Sequence, residues 1–476
     1  MIFLNLMQRV ADSCVNWISN KFKEKENFYI FCGNGNNGGG GFALAKIMYH
    51  NGFDITVFLN ENENFSKDAA SNLKKIKQIS GIDIFDFNDA ATFNFKENAV
   101  IIDAVFGTGL NRRTNKKEVD LITFLNGVKL PKVSIDMPSG LLADQMITDQ
   151  TVIFKADETL SFQFWKKTFL HPETGIYCGK VHILDISLSE EFIQDETTSD
   201  YVIDDQLIHR IYKTRSEFSH KGNFGKTTII AGSFGRVGAA VLAVKAALKS
   251  GSGLTFVHAP KCGYEILQTS CPEAIYLYGG ENHHDRFQID HDTVVGIGPS
   301  LGINTDTESA FMDFLKSCDQ PMVLDADALN IISRHSQFLA KIPENSIITP
   351  HPKEFERLFG ITENSFDRVE LAREKAAELG IYIVLKDHHT QIITPEKDVF
   401  YNITGNSGMA KGGSGDALLG IITSLLAQNY SSKDAAIFGV WLHGKAGDLA
   451  AEKFSKEAML PTDLINELGM VFKSLA

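Results

Sequence analysis

The chain has 476 residues, more than one hydrophobic core usually organises, so two or three domains are expected. Hydrophobic residues make up 43% of it and charged residues 22%, as in ordinary soluble globular proteins. The net charge of −13 argues against nucleic acid or an anionic membrane as the main partner, although main-chain amides can still bind an anionic ligand.

The cysteines and the N-terminus indicate the compartment. Six cysteines are scattered along the chain without a Cys-x-x-Cys pair, which disfavours a zinc site or a disulfide framework and fits the reducing cytoplasm. No basic region precedes the short apolar start, so no signal peptide is expected. No apolar run reaches membrane-spanning length. The protein could form a homo-oligomer, which the sequence does not decide.

In the first part of the chain, β-branched and aromatic runs alternate with helical patterns. Strands are predicted at Phe28–Cys32, Ile55–Asn60, Ala99–Ile102 and Lys132–Ile135, with a helix over Phe42–Tyr49. This alternation predicts a parallel sheet with helices on both faces, in a Rossmann-like three-layer α/β domain. A polar, acidic stretch from Ser189 to Asp205 interrupts the pattern, and the linker is placed there.

A glycine-rich segment lies between the first predicted strand and the first predicted helix. Residues 32–41 read Cys-Gly-Asn-Gly-Asn-Asn-Gly-Gly-Gly-Gly, a setting in which a loop and a helix N-terminus bind phosphate. Asp103 ends a later strand and precedes a glycine turn with two arginines, and Asp136 ends the next strand. Because the carboxyl ends of parallel strands share one edge of the sheet, these segments are expected to converge around a ligand.

Three polar residues of these segments offer only oxygen ligands. Asn37, Asp103 and Ser139 suit a hard cation, and a single carboxylate suits a monovalent ion better than Mg²⁺. The alternative is that Asn37 and Ser139 satisfy main-chain groups of turns, and that Asp136 caps a helix.

The same alternation resumes after the predicted linker. Strands are predicted at Thr227–Ala231, Leu254–Ala259, Val294–Gly296, Met322–Leu324, Ser346–Ile348 and Ile381–Leu385. Helices are predicted at Ala239–Lys249, Asp306–Lys316, Asp367–Leu379 and Asp416–Leu426. The second domain is therefore also α/β, and larger than the first.

The segment Gly412-Gly413-Ser414-Gly415-Asp416 is the most informative one in the chain. Successive glycines let main-chain amides point at one anion, and a helix N-terminus adds positive potential there. Asp416 then lies where it can take a proton from a hydroxyl that attacks a phosphate. The alternative is a glycine loop that only changes the direction of the chain ahead of a buried helix and binds no ligand.

Both halves resemble one family, the bifunctional NAD(P)H-hydrate repair enzymes. The first half is similar through residues 36–39, 103–110 and 136–140; the second through residues 220–225, 232–233, 296–302, 325–330, 349–354, 386–390 and 412–416. The resemblance implies an NAD(P)H-hydrate epimerase domain over residues 1–190. It also implies an ADP-dependent dehydratase domain of ribokinase-like fold over residues 201–476. The substrates would be hydrated NADH and NADPH, with ADP as the phosphate donor.

The resemblance also implies roles for individual residues. Asp136 would move protons in the epimerase, and Asp416 would be the base of the dehydratase. The first hydrate site would comprise Asn36, Asn37, Gly38, Gly39, Gly40, Gly107, Thr108, Gly109, Leu110, Asn111, Arg112, Arg113 and Asp136. The second would comprise Ala240, Gly302, His351 and Asp416, with Lys386, Asp387, His388, His389, Thr390 and Gly415 at the nucleotide. K⁺ would bind Asn37, Asp103 and Ser139, and Mg²⁺ would accompany ADP.

The sequence departs from the family at three places. Gly40 stands where the family loop has an acid, and Asp387 stands where it usually has glycine. The family domain starts with a helix upstream of the segment that resembles Leu6–Ala11, and this helix is missing here. His351 alone fits a loop histidine as well as a ligand contact, and Asp325 and Asp327 fit strand-end caps as well as positions near Mg²⁺.

Two rival functions remain at this stage. A ribokinase-fold sugar or vitamin kinase would need the same phosphate hole and base, although residues 220–222 and 349–352 favour the dehydratase. The first domain could instead be a non-catalytic ligand-binding module.

Overall fold

The computed structural model describes residues 2–60, 64–110, 112–147, 151–290 and 292–475 of the chain. The chain divides into two compact units, Met1–Thr197 and Thr198–Ala476. Within the described residues, no helix combines the length and the apolar character that crossing a bilayer requires.

The first unit alternates strands and helices. Its strands are β1 (Asn27–Cys32), β2 (Asp54–Leu59), β3 (Ile82–Asp86), β4 (Ala99–Ala104), β5 (Lys132–Ile135), β6 (Glu158–Phe162) and β7 (Lys180–Leu184). Its helices are α1 (Ile2–Lys21), α2 (Asn36–His50), α3 (Lys67–Ile76), α4 (Lys116–Gly127), α5 (Lys167–Leu170), α6 (Pro172–Gly175) and α7 (Glu190–Asp195), with a 3₁₀ turn at Phe87–Thr92.

The strand order of the first unit creates a ligand crevice. Among the described residues the strands form one parallel sheet in the order β3-β2-β1-β4-β5-β6-β7. The order reverses at β1, so the connections from β1 and β4 diverge. The carboxyl ends of these two strands, at Cys32 and Ala104, therefore border the crevice in which such sheets bind ligands.

Both faces of this sheet are buried. On one face, α1, α2 and α3 pack on a largely aliphatic core that includes Ile18, Leu44 and Val57. On the other, α4 covers a cluster rich in phenylalanine, in which the rings of Phe31 and Phe58 stack with centroids 4.6 Å apart. The three-layer α/β architecture predicted for this part of the sequence is confirmed.

The second unit repeats the alternation on a larger scale. Its strands are β8 (Asp200–Ile203), β9 (Lys226–Ile230), β10 (Leu254–Ala259), β11 (Ile275–Tyr278), β12 (Val294–Ile297), β13 (Val323–Leu324), β14 (Ile347–Ile348), β15 (Tyr382–Leu385), β16 (Gln391–Ile393) and β17 (Val399–Asn402). Its helices are α8 (Asp205–Ile211), α9 (Val237–Lys249), α10 (Tyr264–Ser270), α11 (Thr305–Ser317), α12 (Ala326–Arg334), α13 (Pro352–Phe359), α14 (Ser365–Leu379), α15 (Ser414–Ala427), α16 (Ser432–Phe454) and α17 (Pro461–Leu475). Short 3₁₀ turns occur at Lys221–Phe224, Lys261–Gly263, Ser336–Lys341 and Ser407–Met409.

The second sheet is mixed. Over the described residues its order is β11-β10-β9-β12-β13-β14-β15-β16-β17-β8, parallel from β11 to β15, with β16 antiparallel to both of its neighbours. The order reverses at β9, between β10 and β12, which places a second ligand crevice at the carboxyl ends of β9 and β12.

Helix α15 is seated close to the sheet and to α9. A Cβ on Gly420 would lie 2.1 Å from the main-chain oxygen of Ala243 on α9, so only glycine allows this approach. Leu419 and Ile422 of α15 are fully buried in the main core of the unit. This packing fixes the helix whose first turn carries Asp416.

The structure corrects some sequence-based predictions. The helix expected to begin at Phe42 begins at Asn36, and the polar stretch Ser189–Asp205 contains α7 and β8 rather than only a linker. Several strands were not predicted, among them β6, whose Thr159 and Ser161 are fully buried yet polar. The segment Leu6–Ala11 lies within α1.

Candidate active sites

In the first unit, the glycine-rich segment is mostly helix rather than loop. α2 begins at Asn36, and the amide of Gly39 donates to the main-chain oxygen of Gly35 at 3.0 Å. The amides able to face a ligand are therefore those of the first turn, while Gly38 and Gly39 do not line the cavity described below. The segment predicted as a loop over residues 36–40 is therefore the start of α2, which corrects its conformation.

Close packing explains two of the glycines differently. A Cβ on Gly38 would lie 1.8 Å from the main-chain oxygen of Gly33, so a side chain there would clash with the preceding turn. A Cβ on Gly40 would meet no atom within 4 Å, and Gly40 lines the cavity. The structure therefore has room for the acid that the family carries at position 40.

Asp103 is a buried connector between two loops. Its Oδ2 accepts hydrogen bonds from Ser134 Oγ (3.0 Å) and the Ser139 amide (2.8 Å), and its Oδ1 accepts from Ser139 Oγ (2.6 Å) and the Val105 amide (3.2 Å). Burial raises the pKa of Asp103 to about 6, against the opposing effect of these donors. The carboxylate thus joins the ends of β4 and β5.

The candidate K⁺ ligands lie around the same connector. The Asn37 amide nitrogen donates to the main-chain oxygens of Phe106 (2.8 Å) and Ile135 (3.1 Å), so its oxygen remains as an acceptor. Ser139 Oγ also accepts from the Phe106 amide at 2.9 Å. This set fits K⁺ by its oxygen chemistry and single charge, but an ion would have to share the oxygens of Asp103 with four donors. The turn-satisfying role considered for Asn37 and Ser139 is observed.

Asp136 is held in an uncommon backbone conformation beside the cavity. Its φ is 71°, in the left-handed region, and its Oδ2 accepts from the Thr108 amide at 2.8 Å. A Cβ on Gly107 would lie 2.5 Å from Oδ2, so glycine there makes room for the carboxylate. The other oxygen, Oδ1, lies 3.5 Å from Lys166 Nζ. Sequence reasoning missed Lys166, because a pair of lysines after two aromatic residues carries no recognisable pattern.

A cavity of about 710 Å³ brings most of the first predicted set together. Its lining includes Asn36, Asn37, Gly40, Gly107, Thr108, Gly109, Leu110, Arg112, Asp136 and Lys166. Arg113 lines an adjacent cavity of about 610 Å³ that shares Thr108, Leu110 and Arg112. Arg112 forms a two-point ion pair with Glu118, at 3.0 and 2.6 Å. Asn111 lies outside the described residues.

In the second unit, Asp416 occupies the first turn of α15. The helix begins at Ser414, and Gly413 precedes it with a φ of 102° that favours glycine. The ring of the buried His443 contacts the Ser414 main-chain oxygen at 3.0 Å, which holds this helix start. Burial raises the pKa of Asp416 to about 6; the Asp325 and Asp327 carboxylates add to this and Lys386 opposes it. Asp416 is therefore mostly ionised at neutral pH and able to accept a proton.

Lys386 lies in the same acidic surroundings. Its Nζ is 2.7 Å from Asp325 Oδ1 and 3.9 Å from Glu354 Oε2. The Cβ position of Gly415 lies 3.5 Å from Asp325 Oδ2 and 3.6 Å from Lys386 Nζ, so this ion pair faces the start of α15. The ammonium of Lys386 and the N-terminus of α15 can therefore both bind the negative charge of a phosphate.

Three residues whose roles the sequence left open have defined contacts in the structure. Asp325 is the partner of Lys386, and Asp327 Oδ2 accepts from the Gly302 amide at 2.9 Å, which braces the loop after β12. His351 is the N-cap of α13, because its Nδ1 accepts from the amides of Lys353 (3.1 Å) and Glu354 (3.2 Å). It also lines the nucleotide cavity described next.

A second cavity of about 710 Å³ opens beside α15. It contains the whole predicted nucleotide set, namely Lys386, Asp387, His388, His389, Thr390 and Gly415. It also contains residues that were not predicted, among them Asn402, Thr404, Lys411 and His443. Asp387 Oδ2 lies 3.3 Å from Arg368 Nη1 on α14, so a cation compensates the acid that replaces the family glycine.

Ala240 and Gly302 are placed less directly. Ala240 is fully buried on α9, and a Cβ on Gly232 would lie 3.3 Å from its methyl group. Gly302 has a φ of 90° in the loop braced by Asp327. Within the described residues, no group of three or more His, Cys, Asp or Glu side chains is arranged to hold a metal ion.

Comparisons with known proteins cover both units of the chain. The sequence profile of the NAD(P)H-hydrate dehydratase family matches residues 227–469, and one described as YjeF-related protein N-terminus matches residues 4–168. The bifunctional NAD(P)H-hydrate repair enzyme of Coxiella burnetii is 32% identical over 472 residues, covering 98% of this chain and 94% of that protein. The chain belongs to the family of bifunctional NAD(P)H-hydrate repair enzymes. The family member from Vibrio cholerae is 33% identical over 467 residues, covering 98% of this chain and 92% of its own.

Solved structures extend the comparison for the second unit. The ADP/ATP-dependent NAD(P)H-hydrate dehydratase of Bacillus subtilis, co-crystallised with ATP and Mg²⁺, aligns with a TM-score of 0.52 and 31% identity, covering 58% of this chain and 99% of that one. A ribokinase-like superfamily protein from Enterococcus faecalis aligns with a TM-score of 0.51 and 28% identity, covering 59% and 98%. The ribokinase-like fold and the family inferred from the motifs are both confirmed.

Proposed function

We propose that the chain repairs hydrated NADH and NADPH by two linked reactions. The first unit interconverts the R and S hydrates, and the second uses a nucleotide to convert the S hydrate to NAD(P)H. The observation that carries the proposal is the half-buried carboxylate of Asp416, in the first turn of α15 and beside the Lys386–Asp325 pair.

The dehydration requires a better leaving group than hydroxide. Asp416 accepts the proton of the hydrate hydroxyl. At the same time the hydroxyl oxygen attacks the terminal phosphate of ADP and releases AMP. The open amides at the start of α15 and the ammonium of Lys386 stabilise the charge that develops on the phosphate. Loss of phosphate, with a proton from the neighbouring carbon, then restores the ring double bond.

The nucleotide is assigned to the cavity that contains Lys386–Thr390 and Gly415. The relative from Bacillus subtilis, crystallised with ATP and Mg²⁺, supports a nucleotide with Mg²⁺ as the second reactant. Asp325 and Asp327, which lie near Asp416, offer carboxylate oxygens of the kind Mg²⁺ prefers, and an ion held there together with the nucleotide phosphates would neutralise phosphate charge. ADP rather than ATP is proposed as the donor on the family resemblance.

The epimerase is assigned to the first cavity. The hydroxyl-bearing carbon adjoins the ring nitrogen, whose lone pair assists loss and return of the hydroxyl, so the protein mainly needs to move protons. Asp136 is proposed for this role because it lines the cavity and its Oδ2 is held by the Thr108 amide, which leaves Oδ1 for proton exchange. Residues 36–40 and 107–113 would hold the pyrophosphate and sugars, and K⁺ would bind at Asn37, Asp103 and Ser139.

We place the two domains at residues 1–190 and 201–476. Asp200 lies 2.6 Å from Arg373 and belongs to β8, which pairs with β17, so a fragment that begins at 201 loses this buried ion pair. Fragments beginning at Thr198 and at Tyr201 should both dehydrate the S hydrate, the longer one with the higher melting temperature. An inactive Thr198 fragment would contradict independent domains.

The function is tested by incubating the purified chain with both hydrate epimers and ADP or ATP. We expect reduced-nicotinamide absorbance to return for both epimers, with one free phosphate released per NAD(P)H. A stable phosphoester without recovery of NAD(P)H would instead identify a kinase. Substrates are small molecules, and the protein is proposed to act in the cytoplasm.

A further inference from the structure

Lys166 is a largely buried cation in the first site that neither the motifs nor the family comparison assigns. It lies between β6 and α5, and its Nζ donates to Ser161 Oγ at 2.6 Å and to the main-chain oxygens of Phe162 and Phe164, each at 3.2 Å. Its side chain is 13% exposed, and Asp136 Oδ1 lies 3.5 Å from the same nitrogen. Lys166 and Asp136 both line the cavity of about 710 Å³ in the first unit.

Anchoring of the 162–164 turn alone does not account for this placement. A lysine that only held this turn would not need to line the ligand cavity or face a carboxylate. The charged groups around it are Asp136 at the end of β5 and Asp144 in the following loop, while Arg112, across the cavity, is paired with Glu118. Burial lowers the pKa of Lys166, with both aspartates opposing the effect, so this amine releases a proton more readily than an exposed lysine.

The proposed epimerisation needs two proton transfers, one from an acid and one to a base. The hydroxyl must receive a proton to leave as water, and a water returning to the opposite face of the ring must lose one. Asp136 Oδ2 is occupied by the Thr108 amide, so Oδ1, the oxygen that faces Lys166, is the atom available for proton exchange.

We propose that Lys166 is the second proton-transfer group of the first site and works in a pair with Asp136. The ammonium of Lys166 protonates the ring hydroxyl, the carbon–oxygen bond breaks with its electrons on oxygen, and the nitrogen lone pair forms a carbon–nitrogen double bond. Water then adds to the opposite face of the same carbon and gives its proton to Asp136. Transfer of that proton from Asp136 to the Lys166 amine restores both groups, and nothing is oxidised or reduced.

This inference rests on the proposed epimerase activity, and the test separates the two. The full chain is compared with Lys166→Met, Lys166→Arg and, as a matched control, Lys155→Met, which changes an exposed lysine of the same unit. The R hydrate is supplied with ADP, and the return of reduced nicotinamide is followed. The melting temperature reports whether each variant is folded, and dehydration of the S hydrate shows that the second unit still drains the product.

We expect Lys166→Met to slow consumption of the R hydrate by about 10²-fold or more, as loss of a general acid does, while Lys155→Met leaves it unchanged. Lys166→Arg keeps the length and the charge but holds its proton too tightly to exchange it, so it should remain slow. A Lys166→Arg variant as fast as the parent overturns the proton-transfer role, even if Lys166→Met fails to fold. A parent that consumes the R hydrate only at the spontaneous rate overturns the epimerase itself.

Discussion

Replacing Asp416 with asparagine should abolish dehydration and at the same time stabilise the fold. The carboxylate lies in the first turn of α15, and burial and the neighbouring Asp325 and Asp327 carboxylates raise its pKa from 3.8 to about 6. Removing a general base lowers the turnover rate by about 10²–10⁴-fold, while the nucleotide cavity itself is unchanged. Nucleotide should therefore still bind with near-parental affinity.

The raised pKa fixes the size and sign of the stability effect. A pKa of Asp416 raised by about two corresponds to a loss of about 3 kcal/mol in the free energy of unfolding, and partial solvent exposure reduces this loss to about 1–3 kcal/mol. Because the pKa is higher in the folded state, the ionised carboxylate destabilises the fold above pH about 6, and the cost vanishes below pH about 4 where both states are protonated. The asparagine variant should therefore unfold at higher denaturant than the parent at neutral pH and equally at low pH.

The same pKa predicts the pH profile of the parent. Dehydration of the S hydrate at saturating nucleotide, followed by reduced-nicotinamide absorbance, should fall about tenfold between pH about 7 and pH about 5 as Asp416 is protonated. The matched control is Asp319→Asn, which changes an exposed aspartate of the same unit. An Asp416→Asn variant with near-parental turnover, or one that is less stable than the parent at neutral pH, would refute the assignment.

Further predictions concern the chain's other unusual residues. Asp103→Asn should destabilise the first unit by about 1–3 kcal/mol despite a similarly raised pKa, because an amide cannot accept from all four donors; an unchanged denaturation midpoint would contradict this. Gly40→Asp should fold normally and lower the hydrate KM more than it changes kcat, whereas Gly38→Ala should be destabilised by its clash with the preceding turn; melting temperatures and R-hydrate kinetics measure both. Arg368→Met should raise the nucleotide KM several-fold by leaving the Asp387 charge uncompensated, and adding Asp387→Gly should reverse the loss; unchanged nucleotide binding in the single variant would contradict it.

The sequence by itself determined the α/β architecture and the motifs of both sites. Alternating buried strands and helices follow from local hydrophobic periodicity, which is why β5 and β10 occupy the predicted residues. The glycines before Asp416 also predicted the helix start that follows them, because turn chemistry is local. Strand β6 was not predicted because only local patterns were available. Its polar residues are buried by the neighbouring strands, and its own sequence does not show this.

Only the tertiary structure decided which side chains act together. Lys166 meets Asp136 because β6 lies beside β5 in the sheet, and no spacing in the sequence encodes that neighbour. Likewise, the order of the strands places Lys386 in contact with Asp325, and the position of α14 places Arg368 in contact with Asp387. The pKa of a carboxyl group depends on how much water and charge surround it after folding, so the sequence could name the acids but not their readiness to exchange protons.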